Sequence, residues 1–405
     1  MNIVFSDMPM PTEQTQSIFL EGPSPRNRDL GDPRHEFVAT LNALSFKGTL
    51  FIPVPRHRFY PGDTFGNEVG WTYDGQVAWE QSARSMSDVL LCWVDRRIDR
   101  TREDLGMPGF TTNVEFGEDR HSGKLVYGRP DGAEKTTYLD DCVIKDGMVV
   151  HSTIESACKE ALVRLGEGSR RVGGETQVPL FIWRTKSFQT WYANLQQAGN
   201  RLDGAKVLGH VCFGSPISPF VFSYTIKVNV WVAAEQRHKS NEIIISRPDI
   251  SAVVALHRST DGTLRVILVR EFRSPVNNAL GMVYELPAGS CRDNAVGPDE
   301  NAKQELHEET GLLIEDVSRF RQVGCRQLAA TFSTHRAHVL AVELDDHEFD
   351  RLVASQGVAF GEKGSTETGE RTYVEISDVA RIFELPVDYS TLGMIYEALN
   401  VFDYK

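Results

Sequence analysis

No CxxC or other paired spacing occurs among the six cysteines, Cys92, Cys142, Cys158, Cys212, Cys291 and Cys325. Neither a zinc site nor a disulfide framework is therefore indicated, and reduced thiols in a cytoplasm are the simpler expectation. Long hydrophobic runs are missing too. VLLCWV (Val89 to Val94) is among the longest, far short of the ~20 apolar residues of a membrane-spanning helix. The opening MNIVFSDMPMPTEQ lacks a basic segment followed by an apolar one, so secretion is not expected. Nor is there a surplus of positive charge. At a formal net charge of -13, broad nucleic-acid binding is not expected, because it rests on a basic surface that neutralises phosphates. An anionic small ligand would need a local cation.

What is present suits a soluble globular chain: 405 residues, 41% hydrophobic and 24% charged, allow two or three domains with sizeable cores. The first half alternates strand and helix patterns. SIFLEG (17–22), TLFIPV (49–54), VLLCWV (89–94) and KLVYG (124–128) are apolar runs of buried-strand type. HEFVATLNAL, VAWEQSARSM and a short pattern around NVEFGEDR lie between them, and TIESACKEALVRL and SFQTWYANLQQAGNRL come after. Such alternation predicts an α/β fold with a parallel sheet and helices on both faces. From about Ala205 the character changes to long β-rich stretches, FVFSYTIKVNVWVA, EIIISR, ISAVVALHR and LRVILVREF. The expected division is therefore 1–204 and 205–405.

The stretch QELHEETG, Gln304 to Gly311, sets a physical problem. Glu305, Glu308 and Glu309 share one side of a helix, where each like-charged pair costs about 0.2–0.5 kcal/mol. Pro298 and Asp299 suit the helix start, Gly311 its end, and Ala302, Leu306 and Leu313 an apolar side. A loop through LPAGS to Gly297 precedes it. Clustered carboxylates with access to water match magnesium or manganese, hard cations that take a few carboxylate oxygens and keep several waters. The bland alternative is a solvated acidic face.

Gly289, the run Glu305-Leu306-His307-Glu308-Glu309, and Gly311-Leu312 resemble a Nudix box. Gln304 stands where that family usually has arginine, and Val296 near its usual loop glutamate, with one extra loop residue. EFRSPV before YELPAGS, and RHKSNEIIISRPD earlier, resemble the ADP-ribose pyrophosphatase branch over about Ala205 to Lys405. The resemblance implies a Nudix α/β/α sandwich, a homodimer with exchanged strands, and hydrolysis of a nucleoside diphosphate derivative such as ADP-ribose to AMP and ribose 5-phosphate. It implies metal at Gly289, Glu305, Glu308 and Glu309, a base from Glu367 or Glu370, and substrate contacts from Arg273 and Glu285. The metal would neutralise the diphosphate and acidify an attacking water.

In the first half, IFLEGPSPR (18–26) places Gly22 and Pro23 just after a strand, where open α/β sheets bind ligands. WTYDGQVAWE (71–80) mixes aromatics with Asp74 and Glu80, suited to stacking on and hydrogen-bonding a base. FTTNVEFG (110–117) puts Glu115 near the start of a short helix. Such a glutamate ordinarily compensates the helix dipole; beside an aromatic pocket it can also attack or stabilise a sugar carbon as a base leaves. Together these stretches resemble the nucleoside 2-deoxyribosyltransferase family and its nucleotide N-glycosidase relatives over about Ser17 to Asp140. That resemblance implies a flavodoxin-like sheet, Glu115 as nucleophile, Glu80 recognising the base, and Asn113 and Gly22 lining the sugar site. Arg26 and Arg28 are either 5'-phosphate receivers or loop charges. The expectation is a cytoplasmic, bifunctional enzyme of nucleotide metabolism. The alternative is a hydrolase whose first half only binds nucleotide.

Overall fold

The computed structural model describes residues 1–25, 30–60, 72–103, 105–215, 217–290, 296–361 and 371–402. Two compact units divide at Ile245/Ser246.

The first unit is built on six parallel strands, β1 (Asn2–Phe5), β2 (Ser17–Glu21), β3 (Thr49–Ile52), β4 (Val89–Trp93), β5 (Leu125–Gly128) and β6 (Val150–His151), in the order β1-β3-β2-β4-β5-β6. Because successive side chains point to opposite faces, each strand feeds two cores. Ile18, Leu20 and Leu91 pack with Phe37 and Leu41 of α1 (Arg34–Ala43) and Ala157, Ala161 and Leu165 of α5 (Ile154–Leu165). Phe19, Leu90 and Cys92 face the other way, onto Trp79 and Ala83 of α2 (Tyr73–Met86), Phe116 of α3 (Phe110–Asp119), and Leu139 and Val143 of α4 (Thr137–Lys145). The chain runs from β2 to β3 on one side and reaches β4 on the other. Strand order therefore reverses between β2 and β4, and their carboxyl ends open a crevice.

The expected division after Gly204 falls inside β7 (Arg201–Ser215), which pairs with β8 (Ser218–Val232) in a three-stranded antiparallel sheet completed by β9 (Arg237–Ser246). Leu202, Ala205, Tyr224, Ile226 and Val228 of this sheet bury against Phe188 and Tyr192 of α6 (Lys186–Gln197). That shared core places these β-rich segments with the first unit rather than the second.

In the second unit, β10 (Ile250–Arg258), β11 (Leu264–Phe272), β12 (Met282–Glu285), β13 (Ala288–Gly289), β14 (Arg321–Gln327), β15 (Arg336–Glu343), β16 (Ala359–Phe360) and β17 (Thr372–Asp378) form one mixed sheet. Its main path is β14-β15-β10-β11-β17-β16, with β12 on β11 and β13 on β10. Val253, Ala255 and Ile267 pack beneath Ala302 and Leu306 of α7 (Pro298–Thr310) and Leu352 of α8 (Asp346–Ser355). Ala252, Val254 and Leu268 pack on Ile395 and Ala398 of α9 (Tyr389–Val401).

Candidate active sites

At the crevice of the first unit the chain leaves β2 through Gly22, whose φ is +146°. A Cβ there would stand 2.3 Å from the carbonyl oxygen of Trp93 at the end of β4, so only glycine lets the two strand ends approach. Two helices lean over this gap. Thr72 caps α2 by accepting from the Gly75 N–H at 3.0 Å, and one face of that helix presents Glu80 and Arg84, four residues apart. α3 presents Glu115 and Asp119, also four apart. Residues at that spacing lie one above the other.

The lower pair is locked. Arg84 donates to Asp119 through Nε at 2.8 Å and again through its terminal nitrogen, and reaches Glu118 at 3.0 Å. The upper pair is two like charges. Glu115 is half-buried, and its carboxyl is pushed up to about 7, first by desolvation and then by the charge of Glu80; Arg84 and Arg34 pull it down and Asp119 adds a smaller upward push. Glu80 is also raised by burial, against a hydrogen bond from Gln76 at 2.7 Å and the charges of Arg34 and Arg84. A carboxylate that titrates near neutrality, opposite a second one biased toward its acid form, is suited to attack and proton donation.

Arg34, at the start of α1, is buried and donates to the Gly22 carbonyl at 2.9 Å and to Ser24 Oγ at 3.2 Å. It brings a cation to the same crevice. Asn113 precedes Glu115 on α3, and its side-chain oxygen accepts from Arg96. Asp74 is exposed in the first turn of α2. Six residues turn a helix by about 240° beyond a full circle, so Asp74 does not share the face of Glu80. Trp71, Arg26 and Arg28 lie outside the described residues.

In the second unit the glutamate helix begins at Pro298 and ends at Gly311, which takes the left-handed conformation with φ +75°. Its carboxylates meet the short strand β13. A Cβ on Gly289 would stand 2.4 Å from the Glu305 carboxylate carbon and both its oxygens, so glycine is required for that carboxylate to lie over the loop. Glu309 is buried and accepts from the Ala288 N–H at 3.1 Å. Asn301, also buried, donates to the Gly289 carbonyl at 3.1 Å and pins loop to helix. Glu308 accepts from Gln304 at 2.8 Å.

Among the described residues no three His, Cys, Asp or Glu side chains stand close enough together to hold a metal. The donor set nevertheless fits a hard cation: three carboxylates on one helix side, and a loop glycine whose missing Cβ leaves the space beneath Glu305. Arg273 bridges Glu271 at 2.9 Å and Glu285 at 3.3 Å, so the two expected substrate contacts are brought together. Arg247 donates to Ser290 Oγ at 2.9 Å. Burial pushes Arg247 below its ordinary value, Arg273 adds to that, and Glu285 opposes it. Glu367 and Glu370 lie outside the described residues.

Glu21, Arg34, Arg84, Asp119, Asn301 and Arg247 do not stand out in the sequence. A signal for two of them is nevertheless there: Arg84 and Asp119 each lie one helical turn beyond an expected site residue. No protein-family model matches this chain, and no curated protein matches it. No described helix is long and apolar enough to cross a membrane.

Proposed function

We propose that this chain is a two-site enzyme of nucleotide metabolism: the first unit breaks or exchanges an N-glycosidic bond, and the second hydrolyses a nucleoside diphosphate derivative, with ADP-ribose the leading candidate. The observation that carries the reading is the opposed pair Glu115 and Glu80 at the reversal of strand order, with Glu115 titrating at about 7. Ignoring the edge strand β1, the order β3-β2-β4-β5-β6 is that of a flavodoxin-like sheet, which supports the assignment of the crevice as a nucleotide site.

In the first unit the ionised Glu115 attacks the sugar carbon that bears the base. The C–N bond breaks, Glu80 supplies a proton or hydrogen bond to the departing base, and a sugar ester of Glu115 remains. Water or a second base then attacks the same carbon, gives up its proton to the now ionised Glu80, and frees the Glu115 carboxylate. Arg34, bonded at the Gly22 carbonyl, keeps a cation beside the anionic parts of a nucleotide.

In the second unit Glu305, Glu308 and Glu309 are the residues that would hold magnesium or manganese, with Gly289 allowing close approach. Such an ion supplies charge neutralisation of a diphosphate and a lowered pKa for water. Asn301 and the Ala288 N–H fix the helix against the loop. Arg273 and Arg247 orient an anionic substrate at the rim. The layered arrangement of α7 and α9 on opposite sheet faces supports a Nudix-type sandwich.

The test is product analysis with ADP-ribose and magnesium. AMP and ribose 5-phosphate from wild type, and none from Glu309→Gln, is the expected result. Equal products from both proteins would refute the assignment of the second site. For the first site, base release across a panel of nucleosides, nucleotides and NAD is expected to disappear in Glu115→Gln; intact release there refutes it.

A further inference from the structure

Beneath Glu115 lies a carboxyl that the proposed chemistry does not use. Glu21 is the last residue of β2 and is 3% exposed, and among the described residues no nitrogen or hydroxyl donor bonds either of its oxygens, the weakly donating thiol of Cys92 alone standing beside it. Its nearest cation, Arg84 Nε, is 3.7 Å away. That guanidinium already spends its short contacts on Asp119 and Glu118. A buried ionised carboxylate left without donors is costly. Its neighbour Asp119 is within hydrogen-bonding range but is an acceptor as well. Two carboxylates in contact become a hydrogen bond only when one carries a proton.

We propose that Glu21 is a positioning residue for the site of the first unit: it enters the floor of the crevice as a neutral acid, donates to Asp119, and so completes a Glu21–Asp119–Arg84 bridge that holds α3 and α2 in the register that sets Glu115 opposite Glu80. The inference rests on the glycosidic reading of that site. The acidic and thiol groups facing Glu21 favour its neutral form, against the charges of Arg84 and Lys124. From α3, Asp119 and Glu115 disfavour a second negative charge; from β4, the Cys92 thiol is itself pushed up by burial and by Glu21; from α2 only Arg84 opposes. Lys124, from the segment before β5, is half-buried, and its Nζ donates to the Arg84 carbonyl at 2.6 Å, not to Glu21. Because Arg84 lies one turn beyond Glu80 and Asp119 one turn beyond Glu115, fixing the lower pair fixes the upper one.

The experiment is a ¹³C-carboxyl titration of glutamate-labelled full-length protein, with the resonances of Glu21 and Glu115 assigned by their loss in Glu21→Gln and Glu115→Gln. Glu21 is expected to ionise well above the ordinary carboxylate range, and Glu115 to titrate with its midpoint near 7. In Glu21→Gln, whose amide still donates, the Glu115 midpoint and the rate of base release stay within about twofold of wild type. In Glu21→Leu the donor is lost, the Glu115 midpoint falls toward the ordinary carboxylate range, and kcat drops about tenfold to a hundredfold with KM little changed, the effect of a misplaced reacting group. A Glu21 resonance that ionises below pH 5 overturns the proposal, as does a Glu21→Gln variant as impaired as Glu21→Leu, or a Glu21→Leu variant that keeps the wild-type midpoint. If Glu21→Leu does not fold, the wild-type titration of Glu21 decides alone. A wild type that releases no base refutes the glycosidic reading, whereas the titrations still decide the bridge.

Discussion

Both proposed sites are built from glutamates on a helix beside a strand end, yet their surroundings are opposite. In the first unit the carboxyls face other carboxyls: Glu115 meets Glu80, and Glu21 meets Asp119. In the second, they face donors and an open glycine: Glu309 accepts from Ala288, Glu308 from Gln304, and Glu305 lies over Gly289. Facing carboxyls push one another toward the acid form, which suits nucleophile and acid roles. Carboxylates fixed by donors keep their remaining lone pairs aimed in set directions, which suits a cation. One residue type therefore suits two chemistries because of what stands across from it.

The largest effect that sharpens this contrast is expected from Glu115→Gln, which removes the proposed nucleophile and should lower base release by roughly 10³-fold or more while leaving diphosphate hydrolysis intact. Steady-state rates for both reactions in one preparation check it. Glu309→Gln is the mirror experiment. It should cost roughly a hundredfold or more in metal-dependent hydrolysis and leave base release unchanged; loss of both activities would break the comparison.

The proton held by Glu115 also has a sign in stability. Its folded value of about 7 is raised above the ordinary carboxylate value of 4.5. Stability from this group is therefore fully present below about pH 4.5 and is lost as pH rises through about 7. Glu115→Gln removes that loss, so the variant should gain on the order of 2–3 kcal/mol over wild type at pH 8–9 and nothing at pH 4. Denaturant midpoints at the two pH values measure it. Base release in wild type should rise on an acid limb centred near 7, because Glu115 acts when ionised. The smallest effect is expected at Gln304. Its neutral amide orients Glu308 at 2.8 Å, and Gln304→Arg should raise hydrolytic turnover roughly tenfold; an unchanged rate would mean that this contact does not limit the second site.

The difference between the sites also explains what is legible in the sequence. Strands β2 to β5 can be read because each is a fully buried apolar run. β6 is only two residues long, and β1 opens with exposed Asn2, so neither shows a clear pattern. α4 escapes a sequence reading because Tyr138 and Ile144, 76% and 64% exposed, blur its apolar face. The division of the units is misplaced for a related reason: by pattern alone β7 and β8 resemble the strands of the second unit, and only their burial against Phe188 and Tyr192 assigns them to the first. Glu80, Glu115 and the glutamate helix can be found because local spacing carries them. Glu21 and Arg34 cannot, and for Arg84 and Asp119 the spacing marks the helix face but not the pairing, since these partners come from segments that meet only when the sheet forms.

The most direct test is a crossed product analysis: wild type, Glu115→Gln and Glu309→Gln incubated with nucleosides, nucleotides, NAD and ADP-ribose in magnesium, with free bases, AMP and ribose 5-phosphate quantified. Each variant losing one reaction and keeping the other is the expected result. Loss of neither, or of both together in folded variants, would contradict the account of two independent glutamate sites.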